Sequence, residues 1–421
     1  MTAFTVVVFA LALAVIAFEW IHRTKVALAG AGLIVIAGAI DAEHAIEAVD
    51  WGTLGLLAGM MLIVALTERT GVFTFIALRL AQLSRGSALR LTFLLTGATG
   101  VLSAFLDNLT AILLVVPVTF LIADLLRISA IPLVIAEVIA ANVGGTATLI
   151  GDPPNILIGT HVDELSFNDF IVNLAPVSVV TLVATIGLVY LVTRRKLAVA
   201  PERIESLQRL DPRADMAGKP KVKRSIAVLL GTIVLFFLHQ TLHLEPAVVA
   251  LVGATVMLLV VVDDVDDALR TIDWSTLFFF VGLFVMVGAL EERGVVEQVA
   301  QWIGDATGES PTGEAMALLW GGAAGSAIVD NIPFTAAMIP VVDELNANDE
   351  GFVDTNWWAL ALGACFGGNA TIVAAAANVA ASGVAARSGQ PISFMRFLAI
   401  GLPVTLVSLG IATAYLLVFQ L

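Results

Sequence analysis

Two Asp-Asn pairs are the residues of this sequence whose types and spacing point most directly to chemistry. Asp107-Asn108 and Asp330-Asn331 lie 223 residues apart, and each interrupts a long apolar stretch, at 91–123 and 314–342. A carboxylate in apolar surroundings is costly, and inside a membrane it is a functional residue by default, able to carry a proton or bind a cation. Either aspartate could instead cap the helix behind it. Because the pair recurs in register, we favour proton or cation coupling.

Two groups of small and neutral polar residues follow these pairs along the chain. Residues 142–148 read Asn-Val-Gly-Gly-Thr-Ala-Thr, and residues 367–371 read Gly-Gly-Asn-Ala-Thr. Glycine pairs allow a helix to unwind, while asparagine and threonine donate and accept hydrogen bonds without carrying charge. Residues 151–155, Gly-Asp-Pro-Pro-Asn, add a third aspartate and two prolines to the first group, whereas the second retains only Asn378 at the matching place. These breaks predict a binding site beside unwound backbone.

The predicted site residues fall into two classes. Substrate binding is assigned to Asn108, Thr110, Asn142, Gly144, Gly145, Thr146, Thr148, Asn155, Asn331, Gly367, Gly368, Asn369, Thr371 and Asn378. Proton or cation coupling is assigned to Asp107, Asp330 and Asp152. Glu137 lies about two turns into another apolar span, where structural pairing and proton handling are both open. No cofactor is expected, and the single cysteine, Cys365, cannot build a multidentate thiolate site, so we expect it to be dispensable.

These residues require elements that occur twice. At the same offset of 223 residues, Asp50-Trp51 matches Asp273-Trp274 and Gly59 matches Gly282, and no gap is needed anywhere. Duplicated apolar halves with polar, glycine-rich interruptions at corresponding positions are typical of secondary transporters whose site lies at the repeat interface.

Composition places the chain in a membrane. Of its residues 59% are hydrophobic and 13% charged, with a mean hydropathy of +0.98. A soluble protein has nearly twice that charged fraction. The first apolar stretch, 2–18, has no lysine or arginine before it, so we interpret it as a retained helix rather than a cleaved signal. We therefore predict an all-α polytopic protein of the cell (inner) membrane.

The spans predict two repeats, 1–193 and 225–421, each with five crossings, one of them a broken helix, and one re-entrant helical hairpin. Because five is odd, the two repeats have inverted topology. The linker 194–224 carries ten of the 21 basic residues and is therefore expected to be cytoplasmic. Both termini are then external, and only Arg293 among the basic residues falls outside.

At these residues a family resemblance becomes visible. Residues 103–110 read Ser-Ala-Phe-Leu-Asp-Asn-Leu-Thr, and residues 142–155 contain the glycine pair and the Gly-Asp-Pro-Pro-Asn sequence. The chain resembles the ion transporter superfamily, most closely the branch of arsenite permeases, NhaD-type sodium/proton antiporters and the melanosomal P protein. The resemblance implies a scaffold and a moving transport domain, each built from both halves. It also implies a substrate held between the hairpin tips and the unwound helices, often within a homodimer.

Within that superfamily, the sequence leaves three substrates to compare. The sodium–dicarboxylate carriers have neutral Ser-Asn-Thr tips, whereas Asp107 and Asp330 would repel a di- or tricarboxylate such as citrate unless both were protonated. A sodium/proton antiporter would use these carboxylates for alternating Na⁺ and H⁺. Arsenite near neutral pH is an uncharged trihydroxide that suits neutral amides and hydroxyls. We predict proton-coupled efflux of arsenite or antimonite, with Na⁺/H⁺ antiport as the alternative and a citrate-like carrier as the third reading.

Other classes fit the sequence less well. An intramembrane aspartyl protease would need a GxGD signature, but residues 149–152 read Leu-Ile-Gly-Asp. No GxxxxGK[ST] nucleotide loop occurs, so an ATP-driven pump is not encoded, and a separate ATPase subunit stays open. We expect no enzyme activity and no nucleic-acid partner. The expected partners are the lipid bilayer, a small inorganic solute and coupling protons or Na⁺.

Overall fold

The computed structural model describes residues 1–18, 20–85, 87–193, 205, 207–216, 221–347 and 353–421. Every regular element within these ranges is a helix, as predicted. Most of the predicted linker 194–224, and residues 348–352 between the second hairpin and the next span, lie outside the described residues. In the described part of the linker a 3-10 turn, Ala214–Met216, is present.

The helices fall into two series of ten within the described residues. In the first half they are α1 Thr2–Ala17, α2 Arg23–Ile36, α3 Ala42–Glu47, α4 Trp51–Glu68, α5 Val72–Leu83, α6 Ala88–Ser103, α7 Asn108–Leu126, α8 Ile131–Gly145, α9 Pro153–His161 and α10 Phe167–Thr193. In the second half they are α11 Val222–Leu238, α12 Pro246–Val261, α13 Val265–Leu269, α14 Trp274–Glu292, α15 Val295–Thr307, α16 Pro311–Ile328, α17 Asn331–Asn346, α18 Val353–Gly367, α19 Ala376–Arg387 and α20 Phe394–Phe419.

Repeated capping residues set the repeated helix starts. The Asp50 side chain accepts the backbone N–H of Thr53 at the start of α4, and Asp273 does the same for Thr276 at the start of α14. An aspartate that satisfies a free N–H of the first turn fixes where a helix begins. Ten helices therefore recur in the same order, with starts that agree to within a few residues once the offset of 223 is applied.

Five stretches of helix are long and apolar enough to cross a membrane, judged by length and composition over the described residues. They are Ala42–Glu68, Asn108–Leu126, Phe167–Leu191, Trp274–Glu292 and Phe394–Phe419. Several further apolar helices are shorter, among them α1, α6, α8 and α12. The predicted span 131–160 is one of the broken helices: it consists of α8 and α9 with a non-helical break between them.

The first packing group consists of helices from one half that pack against helices of the other half. The helix α4 packs against α12 of the other half, and α14 packs against α2 in the corresponding way. The contacts are so close that a Cβ atom on Gly59 would lie 2.7 Å from the Ala250 carbonyl carbon, and one on Gly282 would lie 2.6 Å from that of Ala27. Small residues let membrane helices approach backbone to backbone. The two glycines therefore hold the same contact twice.

The hairpins and broken helices form the second packing group. The first arm of each hairpin packs against the broken helix of its own half, α6 on α8 and α16 on α18. The second arm crosses over, so that α7 packs against α19 and α17 against α9. A Cβ atom on Gly144 would lie 2.1 Å from the Gly100 carbonyl oxygen, which shows why this helix pair needs glycine. The crossover brings both hairpin tips and both helix breaks to one place.

Four helices were not predicted from the sequence: the short α3 and α13, and the longer α5 and α15. The helices α5 and α15 lie between the third predicted span and the hairpin of each half, and each packs against both arms of that hairpin. In α15 the buried residues Val296, Ala300 and Ile303 recur at helical spacing on one side of an otherwise polar helix. The helix α15 is too polar to stand out as a membrane span, and α5 is apolar but has only 12 residues, too few to cross a bilayer.

Candidate functional site

The two hairpin tips are built as helix starts. The Asp107 side chain accepts the backbone N–H of Thr110 at 2.9 Å and also the Thr110 hydroxyl, so that α7 begins at Asn108. The Asp330 side chain accepts the backbone N–H of Ile332 at 3.0 Å, and α17 begins at Asn331. Both aspartates therefore serve as N-caps, which leaves the following asparagine of each tip free to turn towards the interior.

Each helix break is closed by one asparagine. The Asn155 side-chain amide donates to the carbonyl oxygens of Thr146 and Thr148 at 2.9 and 2.8 Å. The matching Asn378 amide donates to the carbonyl oxygens of Gly368 and Thr371 at 2.7 and 2.8 Å. These bonds satisfy carbonyl groups that the interrupted helix leaves unpaired, which apolar surroundings would otherwise make costly.

Hydroxyl groups join each break to the first arm of its own hairpin. Ser103 donates to the Ala141 carbonyl oxygen and Ser326 to that of Ala364, both at 2.7 Å. The Thr148 hydroxyl donates to the Ala104 carbonyl oxygen, and the matching Thr371 hydroxyl donates to that of Ala327 at 2.8 Å. Thr148 and Thr371, predicted as substrate ligands, thus make structural contacts in this conformation.

At the centre, Asp152 receives an amide from each hairpin tip. Its Oδ1 accepts a hydrogen bond from Nδ2 of Asn108 at 3.0 Å and one from Nδ2 of Asn331 at 3.4 Å. Asp152 itself is the residue before α9 and makes no side-chain cap bond. One carboxylate from the first break therefore connects the tips of both halves.

A second asparagine connects the breaks of the two halves. The Asn142 Oδ1 accepts from Nδ2 of Asn108 at 3.1 Å. Its own Nδ2 donates to Oδ1 of Asn369 at 3.0 Å and to Oδ1 of Asn378 at 3.1 Å. We call Asp152, Asn108, Asn142, Asn331, Asn369 and Asn378 the central network. None of its six members has more than 4% of its surface exposed.

Two atoms of the central network have no hydrogen-bond partner among the described residues. They are the Asp152 Oδ2, an acceptor, and the Asn369 Nδ2, a donor. Buried polar groups are nearly always paired, so a buried atom without a partner needs an explanation such as a ligand or ion site. A carboxylate oxygen can take a proton or a cation, and an amide N–H can donate to a solute oxygen.

Helix ends set the electrostatics of the central network. Asn108 and Asn331 are the first residues of α7 and α17, Asp152 directly precedes α9, and Asn378 lies in the first turn of α19. Helix N-termini carry partial positive charge and favour a negative group. Among the described residues, no lysine, arginine or histidine hydrogen-bonds to the network. The starts of α7 and α17 already carry the capping carboxyl groups of Asp107 and Asp330, so the starts of α9 and α19 are what remains to favour a negative charge on Asp152.

The basic residue nearest to the tips contacts Asp330. The Arg23 guanidinium lies 3.5 Å from Oδ2 of Asp330, donates to the Thr276 hydroxyl at 2.9 Å and stacks over the Phe279 ring at 5.1 Å from its centre. The sequence alone assigns Arg23 no role at the site. Its role has no short-range signal, because its partner lies 307 residues away.

The remaining predicted residues lie around the central network rather than in it. Thr110 is bound to Asp107, and the Thr146 hydroxyl donates to the Asn142 carbonyl oxygen at 2.8 Å. The glycines provide close backbone contact: Gly145 approaches Gly151, Gly367 approaches Ala323, and the Gly368 carbonyl oxygen accepts from Asn378. The Cys365 thiol lies 3.7 Å from Oδ1 of Asn155 and is buried.

Comparison with known proteins places this arrangement among transporters. Residues 13–363 match a family model described as "Citrate transporter". An uncharacterised transporter of Mycobacterium tuberculosis is 42% identical over 99% of this chain and 98% of its own length. The P protein of Mus musculus is 32% identical over 96% of this chain but only 58% of its own length. The crystal structure of the Alcanivorax borkumensis YdaH transporter, whose topology is described as unusual, matches 99% of this chain with a TM-score of 0.58 at 17% identity.

Proposed function

This chain belongs to the citrate transporter family, CitMHS, of the ion transporter superfamily, and we propose that it exports arsenite or antimonite in exchange for protons, with Asp152 as the proton-binding group. Its being a multi-pass membrane transporter follows from the family. The solute and the coupling ion are the proposal.

The position of Asp152 carries the proposal. Its side chain is fully buried, one oxygen is held by amides from both hairpin tips, and the other oxygen has no partner. An ionised carboxylate without a cation is costly to bury. The helix starts of α9 and α19, which have no side-chain cap, and the two amide hydrogen bonds offset part of that cost, so the group can exist in both protonation states. A motion that separates the tips from the breaks would remove those bonds and change its proton affinity.

A neutral trihydroxide fits the chemistry around Asp152. Apart from this carboxyl group, the central network consists of five asparagine amides, which donate and accept hydrogen bonds. The unpartnered Asn369 Nδ2 offers a donor and the unpartnered Asp152 Oδ2 offers an acceptor. As(OH)₃ and Sb(OH)₃ have hydroxyl groups that can use both.

A di- or tricarboxylate fits less well. The helix N-termini of α7, α9 and α17, which would favour a substrate carboxylate, already carry the carboxyl groups of Asp107, Asp152 and Asp330. Arg23, the basic residue that contacts the second hairpin tip, is bound to Asp330 and Thr276. A citrate group entering this space would meet a negative charge without a cation to balance it, unless Asp152 were protonated.

Na⁺/H⁺ antiport is the second candidate, and the same unpartnered oxygen supports it. Hard cations prefer oxygen ligands. Rotation of the network amides would add the Oδ1 atoms of Asn142, Asn369 or Asn378 to the Asp152 Oδ2. In this candidate, Na⁺ would alternate with a proton at the Asp152 carboxylate. In the arsenite candidate, the solute would instead be bound beside that carboxylate.

Transport by the Asp152→Asn variant tests both candidates. Purified protein is reconstituted into liposomes, and movement of arsenite or Na⁺ is followed with and without an imposed pH gradient. For arsenite/H⁺ exchange, we expect Asp152→Asn to lose at least tenfold in pH-driven flux yet retain downhill arsenite exchange. For Na⁺/H⁺ exchange, it should lose Na⁺ movement altogether, because the charged ligand is gone. The exposed residue Asp305, changed to asparagine, serves as the matched control.

Two outcomes would contradict the proposal. Wild-type pH-driven flux in the Asp152→Asn variant would show that this carboxyl group is not the coupling site. Uptake of citrate by the wild-type protein, without movement of arsenite, antimonite or Na⁺, would show that the reading of the solute is wrong.

A further inference from the structure

Glu137 is a second buried carboxyl group that the proposed mechanism has not used. It lies on α8, its side chain is fully buried, and its Oε1 accepts from the Thr119 hydroxyl of α7 at 2.6 Å. Its Oε2 has no hydrogen-bond partner among the described residues. The residue thus shares with Asp152 the combination of full burial and one unpartnered carboxyl oxygen.

The second half shows that the packing at this place does not need a carboxyl group. At the offset of 223 residues, Glu137 corresponds to Leu360 and Thr119 corresponds to Val342. All four side chains are 0% exposed, and the helix pairs that hold them, α7 with α8 and α17 with α18, pack in the same way. An apolar pair therefore fills the equivalent contact. A buried polar pair in its place lowers stability unless it serves another purpose.

No opposite charge compensates Glu137. Its recorded interactions within the described residues are limited to burial and the hydrogen bond from Thr119. The acidic and basic residues of the helices that pack against α8 all lie within three residues of a helix end: Arg90, Asp124, Asp169, Asp354, Arg387 and Arg396. A structural ion pair is thus not the reason for this carboxyl group.

The position of Glu137 relates it to Asn142 of the central network. Both lie on α8, five residues or roughly 7.5 Å of helix apart. The neighbouring helix α6 lies alongside, with Gly100 directly against the Ala140 carbonyl oxygen. At the level of Glu137, α6 carries Thr96, a buried hydroxyl that also has no partner. The unpartnered groups of Glu137 and Thr96 therefore lie at one level. The first belongs to α8 and the second to α6, an arm of the hairpin that must move relative to α8 if the tip is to open.

We infer that Glu137 is a second proton-binding site, which takes up and releases one proton in each transport cycle in addition to the proton carried by Asp152. The proton binds to Oε2, and no other covalent bond is made or broken. The inference rests on the proposed proton-coupled exchange. Motion of the α7 arm would remove the Thr119 hydrogen bond, which favours uptake of the proton. It would also admit water to Oε2, which favours release of the proton.

The number of protons per solute is the measurement that tests this inference. Full-length protein in liposomes is given a pH gradient of one unit, with the membrane potential clamped at zero by K⁺ and valinomycin, and the arsenite ratio at zero net flux is read. Each coupled proton contributes a factor of about ten per pH unit. We expect a ratio of about 100-fold for the wild type and about 10-fold for Glu137→Gln, each by the same relation.

A variant that copies the second half separates coupling from folding. Thr119→Val with Glu137→Leu should unfold at the same temperature as the wild type or higher, because both polar partners are removed together. It should nevertheless give the lower arsenite ratio, like Glu137→Gln. A second readout is the infrared C=O stretching band of protonated carboxyl groups, followed against pH without any solute. One band that titrates in the wild type should be missing in Glu137→Gln.

The outcomes separate this inference from the proposed function. A wild-type arsenite ratio in Glu137→Gln, or infrared bands that are the same in both proteins at every pH, would overturn the role of Glu137 and leave Asp152 untouched. If arsenite is not moved by any form of the protein, the proposed function fails, and the infrared comparison still decides whether Glu137 exchanges a proton.

Discussion

Arg23 makes the two hairpin tips chemically different. Asp330 has a guanidinium at 3.5 Å, whereas the recorded side-chain partner of Asp107 is the neutral Thr110. The repeat explains the difference, because the position equivalent to Arg23 in the second half is Pro246, which can offer no charge to the first tip. Asp330 is thus a helix cap paired with a cation, and Asp107 is a helix cap whose side-chain partner is uncharged. Among the three predicted coupling residues, Asp152 has the neighbours that suit proton exchange.

Removal of Arg23 should destabilise the second tip. Arg23→Gln leaves Asp330 largely buried without its cation, with only 12% of its side chain exposed. We expect a loss of ~1–3 kcal/mol, the usual cost of a buried group deprived of its partner. Arg23→Gln combined with Asp330→Asn should recover most of it, because asparagine is also a favoured N-cap. Thermal unfolding in detergent measures both.

The exposed pair Arg209–Glu205 provides the control for this experiment. Its side chains are 76% and 70% exposed, so Arg209→Gln should change the unfolding temperature little. If Arg23→Gln behaved like Arg209→Gln, the contact with Asp330 would have no structural importance.

Residue types alone identified the members of the central network but not their roles. Asn108, Asn142 and Asp152 stand out because polar groups are rare in apolar stretches, and the offset doubles the signal. Which aspartate lies at the centre depends on contacts such as that between Asp152 and Asn331, which are 179 residues apart. Such a contact has no local pattern. It follows from how the hairpin arms cross between the halves.

At the scale of elements, glycine determines how closely the helices of the two halves approach. Gly59 of α4 and Gly282 of α14 leave no room for a Cβ atom against α12 and α2. The sequence predicted these helices, since their apolar length and Asp-Thr starts are local features. It did not predict α5, which is apolar but only 12 residues long, or α15, an amphipathic helix of 13 residues.

Alanine at Gly59 or Gly282 should separate these helix pairs. The new methyl group would lie about 2.7 Å or less from backbone atoms of Ala250 or Ala27. Overpacking of this kind usually costs ~1–3 kcal/mol. Gly410→Ala is the matched control, because it lies in helix α20 with nothing within 4 Å of its Cβ position. There alanine should be neutral or stabilising, since glycine inside a helix is itself unfavourable.

Unfolding temperatures of the three variants in one detergent decide this point. The unfolding temperature should fall by similar amounts in Gly59→Ala and Gly282→Ala, because their contacts are equivalent. It should not fall in Gly410→Ala. Equal temperatures for all three would mean that α4 and α14 have freedom to move apart, and the close packing across the halves would then not contribute to stability.

At the scale of the whole molecule, a symmetric frame holds an asymmetric site. The helices, caps and glycine contacts recur in both halves, yet the chemical groups differ at equivalent positions: Asp152 with Ala375, Glu137 with Leu360, and Arg23 with Pro246. In each pair the charged residue is in the first half. In the proposed mechanism, the duplicated frame would supply two alternating openings, and one carboxylate at the centre would let both openings serve a single site.

We predict that the two halves have inverted orientations in the membrane. In a Cys365→Ser background, cysteine is placed at Arg90, Arg127, Glu309 or Ala347, four exposed positions at the outer ends of the hairpin arms. Serine suits this position because it is close to cysteine in size and keeps a hydroxyl that can make the contact of the thiol, 3.7 Å, with Asn155. Each hairpin reverses within a short turn, and its arms pack together, so both ends must lie on one side.

The positive-inside rule predicts the sides, with Arg90 and Arg127 expected on the same face of the membrane as the basic linker. A membrane-impermeant maleimide added to intact cells should therefore label residues 309 and 347 but reach residues 90 and 127 only after the membrane is opened. Labelling of all four from outside would mean that the halves are parallel. Labelling of only one residue from either pair would mean that the hairpin crosses the membrane. The predicted pattern would place the openings of the two hairpins on opposite faces, which a single central carboxylate needs if it is to meet each side of the membrane in turn.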